Sequence, residues 1–274
     1  MKKFLSVLLA LGLAVSATAC AGGASSSSEA ASTSEPEATP AAESEAATSE
    51  AAAATGEVMT YDEYMAAAVD EAVTIESCVQ AKQSYYAEQG TATVYLQDEE
   101  GAYFAYDMAC TQEEYDAMTE GTRIRVSGYK AEWSGEIEIM DGQLDEILEG
   151  DTYVAEPLDV TELLGTDELE SHQNQKVKFT GLTVAPSTIE GDTTEYAFLY
   201  NYDGSGTQGD DVYFNVEYNG ETYQFLVESY LCDSSTDVYK AVEALEIGQT
   251  IDCEGFLYWY EGVNPHITSV TVNG

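Results

Sequence analysis

Gly121-Thr-Arg-Ile-Arg-Val-Ser-Gly128-Tyr-Lys-Ala-Glu-Trp-Ser-Gly135 is answered later in the chain by Gly248-Gln-Thr-Ile-Asp-Cys-Glu-Gly255-Phe-Leu-Tyr-Trp-Tyr-Glu-Gly262. In both stretches the glycines fall seven apart and then seven apart again. Alternating residues fill the first gap and an aromatic-bearing run fills the second. This grammar predicts a turn, a strand kinked at the middle glycine, a tight turn and a return strand, made twice.

Working outward, the segments 73–79, 92–97 and 102–109 read as three strands ahead of the first copy. Thr60 with Glu63, and Thr111 with Glu114, have capping-box spacing and open short helices. The second copy repeats the order. A lead-in helical region spans 159–173 and a first strand 177–184. An extended second-strand region runs from 195 to 218, interrupted by the acidic insertion 203–211. Asn219-Gly220 is a two-residue hairpin signal. A third strand over 222–231 and a helix over 236–245 complete it. Cys110 and Cys232 fall just after the third strand of each copy, an independent landmark for the repeat.

The N-terminal fifth is of another kind. Lys2 and Lys3, an apolar run over 4–15 and Ala17-Thr18-Ala19 before Cys20 read as an export signal too short for a membrane span. The Ala-Thr-Ala-Cys end, followed by Ala21-Gly22-Gly23, resembles the lipobox of bacterial lipoproteins, with Ala17 where Leu is usual. That resemblance implies an acylated Cys20 (diacylglyceryl and palmitate-type chains) and a lipid-anchored protein facing the outside of the cell membrane. Residues 21–56 are Ala, Ser, Thr, Glu and a little Pro, without aromatic or basic residues, and are expected to form a disordered acidic tether.

The remaining residues, roughly 220, suffice for two domains. Strand order, a helix between the third and fourth strands and a closing hairpin describe a five-stranded OB barrel. The predicted fold class is therefore all-β with short helices: OB-fold domain 1 over 57–150 and OB-fold domain 2 over 151–274. The run from Gly121 to Gly128, with its flanking helix and hairpin, is similar to OB-fold domains of the nucleic-acid-binding superfamily. With Tyr230–Gln249 and Glu254–Val270 added, the chain resembles tandem-OB lipoproteins of Gram-positive (Firmicutes-like) gut bacteria. The resemblance implies a fold and an address, and no ligand.

Charge narrows the partners. There are 51 acidic residues against 9 basic ones, a net charge of −42. Such a surface repels phosphate backbones, which argues against nucleic acid and for a neutral or cationic partner. An enzyme is poorly supported: His172 and His266 lie in different domains, and no catalytic motif is visible. Cys78, Cys110, Cys232 and Cys253 have no zinc-site spacing, and buried free thiols are favoured over disulfides. The loop 201–211 has the oxygen density of a Ca²⁺ site through Asp203, Asp210 and Asp211, although it departs from the EF-hand pattern; a solvated Gly/Asp loop is the competing reading. Arg123 and Arg125 alternate with Ile124 and Val126 and should point outward toward carboxylates.

The aromatic residues carry the functional expectation. OB barrels bind along strands two and three and between the loops joining strands one–two and four–five. These loops hold Tyr85, Tyr86 and Trp133 in the first copy, and Trp259 and Tyr260 in the second. Ring faces beside acidic acceptors suit sugars, so the expected role is non-enzymatic binding of a glycan or cell-wall saccharide. The competing reading packs both tryptophans over barrel ends or the interdomain seam. A protein–protein or structural module with a Ca²⁺-stabilised loop comes second, and an enzyme with a carboxylate site third.

Overall fold

The computed structural model describes residues 56–150 and 152–273. The segment 1–20 with its lipidation candidate Cys20, and the tether 21–56 apart from Gly56, lie outside the described residues. No described helix is long and apolar enough to cross a membrane.

Helix α1 (Tyr61–Ala66) leads into strands β1 (Ala72–Lys82), β2 (Thr91–Gln97) and β3 (Ala102–Ala109). Helix α2 (Gln112–Ala117) then precedes β4 (Arg123–Trp133) and β5 (Glu136–Ile147). The strands close as β1-β2-β3-β5-β4, with β1 paired to β4 and β3 running parallel to β5. After the short β6 (Leu158–Asp159) and two 3₁₀ turns, the second set follows. It comprises β7 (Lys176–Ala185), the two-residue β8 (Leu199–Tyr200), β9 (Val212–Tyr218), β10 (Glu221–Val227), helix α3 (Asp237–Glu243), β11 (Thr250–Phe256) and β12 (His266–Val272). Its sheet order β7-β11-β12-β10-β9 is closed by the β7–β9 pairing, again with one parallel pair, β10 and β12. Both halves thus have one topology, and both are the OB barrel expected from the sequence.

Local chemistry explains the elements. Thr60 and Thr111 each form the full reciprocal capping box with Glu63 and Glu114. Asn219 and Gly220 both take positive φ, 53° and 86°, as a tight hairpin between β9 and β10 requires. In the repeated glycine motif the outer positions supply left-handed turns, with φ of 84° at Gly121 and 87° at Gly248. The middle glycines answer to close approach instead. A Cβ on Gly128 would stand 2.6 Å from Ile139 Cγ2, and one on Gly255 only 2.2 Å from the His266 carbonyl oxygen. Both sit at irregularities where the fourth strand of the barrel crosses the fifth.

Each barrel has its own core. Val73, Ile75, Val94, Leu96, Ile124, Val126 and Ile139 fill the first. Val177, Phe179, Val216, Phe214, Phe225 and Ile251 fill the second. A third cluster, Tyr95, Phe104 and Phe256, belongs to neither interior. Tyr95 and Phe104 point out of the first barrel, and Phe256 stacks on Tyr95 with centroids 4.5 Å apart. Strand β2 is therefore buried on both faces, Val94 and Leu96 inside its barrel and Tyr95 against the other. Burying a side chain such as Phe256 contributes about 1.5–3 kcal/mol.

Polar side chains complete the seam. Gln173 accepts from Ile137 N and donates to the Gly135 carbonyl, and Asn174 donates to the Ile137 carbonyl. Glu136, fully buried, accepts from Trp259 N at 2.9 Å. Gln80, at a bulge in β1, holds the connector by donating to the Tyr153 carbonyl and accepting from Ala155 N. The Trp259 ring lies against Gly135, where a Cβ would come within 2.7 Å of it.

Candidate functional site

The seam does not close everywhere. Beyond Tyr95 and Phe104 the barrels part into a groove of about 960 Å³ with walls from both. The first barrel contributes the β1–β2 loop with Tyr85 and Tyr86, and β3 with Phe104, Tyr106 and Asp107. The second contributes Tyr202, Tyr213, Tyr230, Tyr258 and Tyr260. Among the described residues six tyrosines are strongly exposed, namely Tyr86, Tyr106, Tyr129, Tyr202, Tyr230 and Tyr260. All but Tyr129 line this groove, so exposed rings are concentrated on one surface.

The walls are held in place. Ser84 donates from its amide N (2.8 Å) and its hydroxyl (3.1 Å) to the Tyr230 carbonyl, joining the two rims. Glu228 accepts from Tyr230 N and Leu231 N, fixing the turn that presents Tyr230. Asp211 braces the same turn by accepting from Ser229 N and Oγ. Tyr86 starts a tight turn in which its carbonyl accepts from Gly90 N.

Two buried polar residues form the floor. His266 is 5% exposed, stacks on Tyr258 at 4.2 Å and has Nδ1 2.5 Å from Tyr95 Oη. Gln83 donates to that same Tyr95 oxygen at 3.4 Å. Burial lowers the His266 pKa to about 3, so the ring is neutral. Glu228 is 8% exposed; burial, and then the Asp211 charge, raise its carboxyl to about 7. No Lys or Arg lines the groove.

Of the five aromatic residues expected to bind, the structure brings Tyr85, Tyr86 and Tyr260 together here. Trp133, 59% exposed at the end of β4, stands away from the groove, and Trp259 is spent on the seam. Tyr106, Tyr202, Tyr230, Tyr258, Glu228 and His266 were not singled out for binding in the sequence. Part of the β2–β3 face of the first barrel is covered by Phe256.

The remaining candidates are accounted for locally. Asp203 accepts from Ser205 N, Asp210 from Thr207 N and Asp211 from Ser229. Among the described residues no group of three or more His, Cys, Asp or Glu side chains is arranged to hold a metal ion. Arg125 pairs with Glu76 at 2.6 Å and Glu146 at 3.0 Å, while Arg123 lies near Glu76 and Asp98. Cys78, Cys110, Cys232 and Cys253 are free thiols, all buried except the half-buried Cys110. His172 bonds only to Gln175 within its own turn.

No protein-family model matches the chain, and no curated protein sequence matches it. Similar solved structures include a murine DNA-binding protein bound to double-stranded DNA (12% identity, TM-score 0.33, 73% of this chain and 96% of that one). Another is a Replication Protein A heterotrimer bound to single-stranded DNA (12% identity, TM-score 0.27, 74% and 49%). A third is the single-stranded DNA-binding protein of Thermus aquaticus (14% identity, TM-score 0.23, 76% and 95%). These similarities correct the partner expectation drawn from charge: similar structures carry DNA, and the exclusion of nucleic acid from a net charge is withdrawn. By strand order and closure, the chain is a tandem OB-fold protein.

Proposed function

We propose that this is a non-enzymatic binding module, displayed as a lipoprotein acylated at Cys20, whose interbarrel groove holds a saccharide against ring faces. The observation that carries the reading is the gathering of Tyr86, Tyr106, Tyr202, Tyr230 and Tyr260 on one groove. Sugar C–H faces stack on aromatic rings, and the tyrosine hydroxyls and His266 Nε2 are available to sugar hydroxyls. A groove with two walls from separate barrels suits an extended ligand of several residues. The floor supports binding over turnover, since Glu228 is committed to two backbone amides and His266 to Tyr95.

The test is a binding screen of glycans, cell-wall polymers and single-stranded oligonucleotides against wild type and Tyr260→Ala. The expected result is a glycan whose affinity falls about five- to thirtyfold in the variant, the loss of one desolvated stacking contact of about 1–2 kcal/mol. A nucleic acid bound here would be held by its bases, since the groove offers phosphates no cation; its affinity would then vary little with salt. Tight, salt-insensitive oligonucleotide binding without any glycan would replace the saccharide by a nucleic acid as the occupant.

A further inference from the structure

We infer that the saccharide carries free amino groups, so that the groove reads ammonium charge together with sugar faces; this rests on the saccharide reading above. The lining contains two carboxylates, Asp107 and Glu228, and no cationic side chain. The described basic residues are mostly committed elsewhere. Lys82 lies over the Tyr115 ring and donates to its carbonyl, and Lys130 is buried on three carbonyls at the end of α1. Arg125 is tied to Glu76 and Glu146, Lys176 to Glu120, and Lys240 to the Ser235 carbonyl. Glu228 is already held by the Tyr230 and Leu231 amides, so the groove acid left for a ligand is chiefly Asp107.

The walls add a second attraction. A cation close to an aromatic face is drawn by the ring quadrupole, and more strongly where water is excluded. Exposed tyrosines from both barrels offer such faces. His266, nine-tenths buried, is neutral and has no partner for Nε2 among the described residues, so it adds no repelling charge and leaves one ring nitrogen to bond a ligand. Neutral donors, ring faces and carboxylates match an amino-bearing sugar better than a plain one: hydroxyls meet the donors and ammonium meets the acids. The acidity of the whole chain also steers a cationic polymer toward it.

The experiment compares glucosamine oligomers with free amines and the same oligomers N-acetylated, by calorimetry on the full chain at two salt concentrations. The free-amine oligomer should bind roughly tenfold tighter or more at low salt, and the gap should narrow at high salt. Asp107→Asn and Glu228→Gln should bring the two affinities together. Asp107 has φ of 45°, which Asn tolerates, so that variant serves even if Glu228→Gln disturbs the turn. Tyr86→Ala with Tyr260→Ala should weaken both oligomers, while Glu99→Gln, outside the groove, should change neither. Acetylated oligomers binding as tightly as free amines would overturn the charge inference and leave the saccharide reading standing. Binding by neither oligomer, nor by any other glycan, would remove the saccharide reading itself. Free-amine binding that survives the tyrosine variants would be adsorption to an acidic surface, and would also overturn the inference.

Discussion

Glu136→Gln should make the protein more stable at neutral and alkaline pH. Glu136 is fully buried in the seam, and its Oε2 accepts from Trp259 N. Its Oε1 and the neighbouring Asn174 Oδ1 both lack a hydrogen-bond partner. Burial raises its pKa from 4.5 to about 9. A raised carboxyl pKa contributes stability that is complete below the unfolded value and is lost as pH rises through the folded one. The window is therefore about 4.5 to 9. At pH 7 the folded group must hold a proton that the unfolded one has shed, at a cost of about 3 kcal/mol. Gln removes this term, keeps an acceptor for Trp259 N and supplies an N–H for Asn174. Urea unfolding at pH 8 should show the variant more stable by about 5 kcal/mol, against about 3 kcal/mol at pH 7, with the gap closing near pH 4.5. A variant no more stable than wild type at pH 8, or a gap independent of pH, would refute the account of a protonated seam.

Other expectations concern the same physics elsewhere. Gly255→Ala should cost more than Gly128→Ala, because its Cβ meets a backbone oxygen at 2.2 Å, whereas that of Gly128 meets the Ile139 methyl at 2.6 Å and the Met140 carbonyl oxygen only at 2.9 Å; overpacking of this kind costs about 1–3 kcal/mol or more, read by thermal unfolding. His266 contributes in the opposite sense to Glu136: its pKa falls from 6.5 to about 3, so its share of stability is complete above 6.5 and lost toward pH 3. His266→Gln should flatten the acid limb of the unfolding profile. A thiol reagent should reach Cys110 first and Cys78, Cys232 and Cys253 only on unfolding; prompt labelling of all four would contradict their burial. Calcium and chelator should leave the melting temperature alike, because Asp203 and Asp210 are taken up within their own loop and Asp211 by Ser229.

The barrels were legible because their signals are local. The glycine spacing reported left-handed turns and strand crossings within fifteen residues, and the Thr–Glu pairs reported helix starts. The groove was only partly legible because its walls meet across the fold. Tyr86 and Tyr260 could be found, since they sit in the loops an OB barrel uses. Tyr230 depends on a turn pinned by Glu228 and by Ser84, which lies 146 residues away. Tyr202 sits in the insertion whose acidic residues drew attention to calcium. Trp259 illustrates the same limit: no local pattern announces that its ring packs against Gly135 of the other barrel. The one available signal was compositional, 20 tyrosines against 7 phenylalanines, a surplus of rings that keep a polar tip toward water.

The most direct test of the central claim, that the interbarrel groove is the binding surface, is an oxidative footprint of the aromatic residues with and without bound glycan. Tyr86, Tyr106, Tyr202, Tyr230 and Tyr260 should be protected together, drawn from both barrels, while the exposed Tyr129 and Trp133 stay as reactive as before. Protection of Tyr129 or Trp133 with the groove tyrosines unchanged would contradict it and move the site to the outer face of the first barrel.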